Sequence, residues 1–265
     1  MPELPEVEAV CRKLRRDAVG ALIERVIVYR ARSTHPQHPS ELERAAGQRI
    51  ESIERRGKNI LIHLSGGLVL RVHLRMTGNL FVVPDARLHS ERVRVCFALQ
   101  DGRGLVFEDT RALGVINLHG TEDLDRVLSD IGINPLTRAF TPEWLVQAAS
   151  ASKRPAKLFL MDQSIIAGVG NIYAAEALFR ARIDPRKPMN GIRRPKLEAL
   201  HAAIVDILRQ GIKAAVIAYS KPGDYSDTRF IVYDRKDEPC NTCGRKIQRI
   251  VQGGRSTYFC PGCQC

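Results

Sequence analysis

Apolar residues recur at helical spacing where the chain begins: Leu4, Val7, Cys11, Leu14 and Ala18 share one face, while Arg12, Lys13, Arg15 and Arg16 fall mostly on others. Gly20 is placed to end that helix. From Leu22 to about His119 the period shortens. Val26–Tyr29, Ile60–Leu64, Leu68–Leu74, Val93–Leu99 and Leu105–Phe107 are short strand-like runs, with Gly66-Gly67 and Asp101-Gly102-Arg103-Gly104 as hairpin turns between them. This predicts an all-β layer, a sandwich or a flattened barrel. After about residue 121 the longer period returns. Thr141 followed by Pro142 reads as an N-cap and first helical position, so Thr141–Ala149 predicts a helix. Asn171–Phe179 and Lys196–Arg209 are helical by the same apolar period, and the polar, turn-rich residues 219–229 predict a mobile loop.

Composition adds a partner class. The 265 residues are 44% apolar, enough for more than one core, and 41 basic against 29 acidic residues give a formal charge of +12. Such a field attracts phosphate backbones or anionic membranes. No apolar run approaches the roughly 20 residues of a spanning helix, which disfavours the membrane. The start of the chain has neither the basic stretch nor the apolar core of a signal peptide, so a cytoplasmic location is expected, around the nucleoid for a bacterial chain.

Cys240-Asn-Thr-Cys243 and Cys260-Pro-Gly-Cys263 are two Cys-x-x-Cys knuckles separated by sixteen residues, the pattern of a closed structural Zn2+ site with four thiolate ligands. One zinc would lower the formal charge to about +10. A ribbon this short buries little apolar surface alone, so the metal is expected to supply most of its folding free energy. Between the knuckles two strands meet at Gly253-Gly254, and Arg255 follows the tip, as either a solvated charge or a nucleic-acid contact. Cys11 and Cys96 read as small buried apolar residues and Cys265 as a tail thiol.

Two further stretches carry candidate chemistry. Removal of Met1 would leave Pro2 as a secondary amine beside the Glu3 carboxylate; such an amine attacks carbonyl carbon and gives an iminium that stays cationic. The plain alternative is a helix start with acidic residues near its N-terminus. Gly168-Val-Gly170 precedes the helix opened by Asn171, where backbone amides can face an anion; a tight packing turn is the alternative.

Together, Met1–Glu8, Gly168–Ala174 and the finger containing Gly254-Arg-Ser-Thr-Tyr-Phe-Cys260 resemble the Fpg/Nei family of DNA glycosylases, in its formamidopyrimidine-DNA glycosylase branch (Fpg/MutM), in the right order along essentially the whole chain. The fold this implies is α+β and multidomain: an N-terminal helix plus two-layer β-sandwich over 1–120, a helix-two-turn-helix domain over 121–232 and a zinc-ribbon hairpin over 233–265. The implied activity is excision of oxidised purines from damaged double-stranded DNA with cleavage of the strand, by a monomer. A preference for oxidised pyrimidines, or binding of damaged DNA without catalysis, are the alternatives.

By resemblance, Pro2 is the nucleophile at C1′, Glu3 the neighbouring acid/base and Lys58 the β-domain lysine on the lesion strand. Asn171 and Arg255 hold phosphates; Met76, Arg111 and Leu113 fill the gap left by the extruded nucleotide; Glu6 and Glu176 support the site. His89, Lys157 and Tyr173 look similar to further DNA contacts. For Lys58 a solvated turn lysine, and for Glu176 a helix-surface charge, are the plain alternatives. The chain departs from the family where Asp-Pro-Arg-Arg-Phe-Gly is replaced by Asp109-Thr-Arg-Ala-Leu-Gly114, and where the segment before the capping loop is Gly211-Ile-Lys-Ala214. Both departures bear on which lesion is accepted.

Overall fold

The computed structural model describes residues 2–87, 90–220 and 230–265. They form two compact units, Met1–Ser129 with Ala215–Asp224 and Asp130–Ala214 with Tyr225–Cys265.

The first unit opens with helix α1 (Leu4–Asp17), whose apolar face buries Leu4, Val7, Cys11 and Leu14, with Ala18 just beyond, as the spacing predicts, and Val10 in addition. A capping box starts it: the Glu3 amide donates to Glu6 Oε2 at 2.8 Å, and the Glu3 carboxylate accepts the Glu6 amide. The strands are β1 (Ile23–Val28), β2 (Ile50–Arg56), β3 (Asn59–Leu64), β4 (Leu68–His73), β5 (Gly78–Val83), β6 (Val93–Leu99), β7 (Gly104–Asp109) and β8 (Val115–Gly120). They make two antiparallel four-stranded sheets, ordered β1-β6-β7-β5 and β2-β3-β4-β8. Inner-face residues of both, among them Ile60, Ile62, Leu70, Val72, Val95, Phe97 and Phe107, share one core with α1. This is the expected sandwich. Both predicted glycine hairpins are present, with Gly66, Gly67 and Gly102 at positive φ.

Boundaries differ where charge interrupts the pattern. The first strand runs Ile23–Val28, three residues earlier than its apolar run suggests, because Glu24 and Arg25 sit at a bulge and hide the alternation. Strands β2, β5 and β8 were not delimited by the sequence pattern. Cys11 lies in the main core, where burial pushes its thiol up to about 12, and Cys96 packs with Val93 and Val106 on an outer face. Cys265 is exposed.

The second unit holds α3 (Pro142–Ser150), α4 (Ala156–Met161), α5 (Asn171–Arg180) and α6 (Arg194–Ser220) as far as Ala214, its last turns from Ala215 belonging to the first unit, which the short α2 (Leu124–Val127) also joins. Thr141 caps α3 by accepting the Trp144 amide at 3.1 Å. Helix α6 runs eleven residues beyond the predicted end at Arg209 and takes in Tyr219 and Ser220, where the polar pattern predicts a loop; residues 221–229 lie outside the described residues. Gly211 inside it serves close packing: a Cβ there would lie 2.6 Å from the Tyr173 hydroxyl of α5.

The chain ends in β9 (Gln248–Gln252) and β10 (Arg255–Phe259), joined at Gly253 (φ +54°) and Gly254 (φ +73°). The ribbon does not depend on metal alone. Ile247, Tyr258 and Cys260 are buried in one cluster with Ala175 and Phe179 of α5 and with Val232.

Candidate functional site

Pro2 is half-buried immediately before α1, and Glu3 is fully buried in the capping box with Glu6, so these three residues occupy one fixed point. The helix is tied down further along. Glu8 accepts from Arg12 Nε at 3.1 Å, Arg15 Nη1 at 3.3 Å and Arg55 Nε of β2 at 3.1 Å. Burial would raise the Glu8 carboxyl, but the guanidiniums outweigh it and hold it below the usual carboxylate range. Pattern reading of the sequence missed this network; the signal available was an acid on α1 and the paired arginines before Gly57.

Lys58 sits half-buried in the two-residue turn between β2 and β3, after Gly57 at φ +59°. Its charge reaches His73 at the end of β4. Burial, then Arg75, Lys58 and Arg71, lower His73 to about 3, so its ring is neutral at pH 7, and its Nδ1 accepts the Arg75 amide at 3.1 Å.

Met76 and Leu113 are exposed apolar side chains, 38% and 39% accessible, and Arg111 is exposed beside Leu113. Two loops present them, 74–78 and 110–114, and the loops are joined. Asp109, fully buried, accepts from the Thr77 hydroxyl and from the amides of Arg111 (3.2 Å), Leu113 (2.7 Å) and Gly114 (2.6 Å). Thr77 Oγ1 also accepts the Arg111 amide at 3.1 Å. Ala112 takes φ +50° within this turn. Asp109 escaped the sequence reading because an aspartate opening a turn is commonplace.

In the second unit, the turn before α5 is clasped by Gln163, which accepts the Gly168 amide (2.9 Å) and donates to the Val169 carbonyl (2.8 Å), with Gly168 at φ +95°. Asn171 opens the helix with 8% exposure; its Nδ2 reaches the Tyr233 hydroxyl at 3.5 Å, and its Oδ1 has no partner among the described residues. Tyr233 was not anticipated. Glu176 is not a helix-surface charge: it is 1% exposed and accepts the amides of Ile231, Val232 and Tyr233 at 2.8–2.9 Å.

Tyr173 and Lys157, read by resemblance as DNA contacts, are buried. Tyr173 packs against Gly211, and Lys157, 1% exposed, donates to the Ser256 carbonyl at 2.7 Å and Thr257 Oγ1 at 2.9 Å. The ammonium therefore props the strand that begins at Arg255. Arg255 itself is exposed, with no ion pair among the described residues. His89 lies outside the described residues.

The four knuckle sulfurs lie within 4.8 Å of one another, with Cys240–Cys263 at 3.8 Å and Cys243–Cys260 at 3.4 Å. Four thiolates about 2.3 Å from a tetrahedral Zn2+ stand roughly 3.8 Å apart, so the donor set fits one structural zinc.

The sandwich, the helical unit and the four-cysteine hairpin each have a counterpart among known proteins. Family models match in sequence order: the formamidopyrimidine-DNA glycosylase N-terminal domain over residues 1–116, its H2TH domain over 131–221, and the zinc finger found in FPG and IleRS over 237–264. The formamidopyrimidine-DNA glycosylase of Chloroflexus aggregans is 40% identical over 276 residues, covering 100% of this chain and 98% of that one. That of Lactiplantibacillus plantarum is 37% identical and covers 98% of each. Among solved structures, Lactococcus lactis Fpg in complex with Fapy-dG DNA superimposes with a TM-score of 0.91 at 30% identity, covering 99% of both chains. A MutM complex with carbocyclic 8-oxo-G DNA gives a TM-score of 0.91 at 31% identity, again over 99% of both. The chain belongs to the formamidopyrimidine-DNA glycosylase family.

Proposed function

We propose that this protein is a base-excision repair enzyme that removes oxidised purines, 8-oxoguanine and formamidopyrimidines, from duplex DNA and then cleaves the strand. The observation that carries the reading is the fixed position of Pro2 beside the fully buried Glu3 carboxylate at the start of a packed helix; removal of Met1 would make the Pro2 nitrogen a secondary amine there. Solved relatives with Fapy-dG, 8-oxo-G and abasic DNA support the substrate class.

The amine of Pro2 attacks C1′, the damaged base leaves, and the opened sugar is held as an iminium on the proline nitrogen. Glu3 manages the protons that permit β- and then δ-elimination. Lys58 contacts the lesion strand, and Glu6 and Glu176 hold their surroundings in shape. Asn171 and Arg255 bind phosphates, offsetting the few kcal/mol needed to flip a nucleotide from the stack. Met76, Arg111 and Leu113 occupy the space it leaves. His89 is retained as a further DNA contact, whereas Lys157 and Tyr173 act indirectly, through β10 and α6. Three working parts follow, catalytic over 1–120, DNA-gripping over 121–232 and zinc-held over 233–265. The enzyme works as a monomer on chromosomal DNA in the cytoplasm.

Borohydride reduces an iminium to a stable amine, so the enzyme should be trapped covalently on 8-oxoguanine and abasic duplexes, and Pro2→Gly should remove most of the trapping. Full-strength trapping by that variant would overturn the assignment. Leu113 and Ala112, standing where the family has an aromatic residue and an arginine, favour a second reading, a shifted lesion preference. Rapid release of thymine glycol with idle 8-oxoguanine, at one fixed salt concentration, would decide for it.

A further inference from the structure

The two loops that present Met76, Arg111 and Leu113 both cross from one sheet of the sandwich to the other, 74–78 from β4 to β5 and 110–114 from β7 to β8. Their common feature is Asp109. A fully buried carboxylate is costly unless its lone pairs are filled. Here four donors fill them, three from the amides of Arg111, Leu113 and Gly114 and one from the hydroxyl of Thr77 on the other loop. Thr77 Oγ1 then accepts the Arg111 amide, so one hydroxyl is both donor and acceptor across the gap between the loops. Pairing of Gly78 with Asp109 aligns the two strands at that point. The backbone is also tight there. A Cβ on Gly78 would lie 2.4 Å from the Leu74 carbonyl oxygen, and one on Gly114 would lie 2.6 Å from the Phe107 ring and 3.1 Å from Asp109 Oδ2.

We infer that Thr77 and Asp109 are positioning residues that lock the two loops into one preorganised wedge, so that Met76, Arg111 and Leu113 enter the base stack as a unit. The inference rests on the reading of those three residues as the gap-filling set. Preorganisation matters more in this chain because Leu113 and Ala112 supply less stacking surface than an aromatic residue and an arginine. A smaller wedge that stays rigid loses less side-chain and loop entropy when it inserts. Neither residue touches the reacting atoms, so their loss should slow eviction of the base and leave the covalent chemistry comparatively intact.

The test uses the full-length zinc-bound enzyme and compares two single-turnover rates: excision of 8-oxoguanine from a duplex, and strand cleavage at a preformed abasic site, which has no base to evict. Thr77→Val keeps the side-chain shape and removes the hydroxyl. It should lower the ratio of excision to abasic cleavage about tenfold, the size of effect expected for losing one hydrogen bond that acts mainly in a single step. Thr77→Ser should restore the ratio, and thermal unfolding of both variants shows whether the fold is kept. Met76→Ala and Leu113→Ala test the underlying reading, since both should depress the same ratio. If they do not, the wedge reading falls. If they do and Thr77→Val leaves the ratio where it was, the wedge stands and the lock is refuted. Destabilisation with equal loss of both rates would also refute it, by assigning Thr77 a purely structural role.

Discussion

His73 shows how much of a residue's chemistry is set by what surrounds it. Half-buried and close to Arg75, Lys58 and Arg71, it is pushed down from 6.5 to about 3, and its neutral Nδ1 is already engaged by the Arg75 amide. Between those two values the unfolded chain binds a proton that the folded chain refuses, so stability should rise with pH through that window and be lost as pH falls. Urea unfolding at pH 4.5 and 7.5 should show this difference, and His73→Gln, which keeps an acceptor but does not titrate, should narrow it. An unchanged difference would mean that other groups set the acid sensitivity. The four cysteines could be read directly from their spacing, whereas Pro2 with Glu3 took on a role only through the family resemblance. Asp109, Tyr233 and Glu8 could not be read in this way, because each has one decisive partner distant along the chain, Thr77, Asn171 and Arg55 respectively.

At the scale of elements, apolar period and turn glycines were sufficient for α1, β3, β4, β6, β7 and the three glycine-linked hairpins. They failed where burial is sparse. Strand β2 buries only Ile50 and Ile53, and a register shift after Ile50 breaks even that alternation. The end of α6 was lost for a different reason: Gly211 resembles a stop signal, but it is retained so that α6 can approach Tyr173. Helix α5 carries the clearest energetic consequence. Glu176 gathers three amides from 231–233, segments far apart in sequence, and so fixes the backbone that leads into the ribbon. Glu176→Gln puts an NH2 against at least one of those amides and should destabilise the second unit by about 1–3 kcal/mol. Chemical denaturation of the full chain followed by Trp144 fluorescence, which reports on this unit, gives the measurement. A loss below about 0.5 kcal/mol would show that water replaces the carboxylate at little cost.

For the whole molecule, the formal charge of +12 makes DNA affinity strongly dependent on salt, since each phosphate neutralised releases condensed counterions. On the proposed reading of Arg255 as a phosphate contact, it is the residue through which the zinc site joins that effect. It stands at the start of β10, Lys157 props the adjoining Ser256 carbonyl, and the far end of the strand runs into Cys260 of the metal site. Arg255→Ala should therefore reduce the slope of log K against log salt concentration by about 1, and by the same amount on lesion-bearing and undamaged duplexes. Chelating the zinc should do the same to the wild type, because freed knuckles no longer fix the hairpin, although the apolar seat on α5 keeps part of the ribbon packed. The two perturbations should not add: once the metal is removed, Arg255→Ala should change the slope no further. Additive losses would mean that Arg255 reaches the phosphate without the metal's help, and that the zinc contributes to binding through some other part of the hairpin.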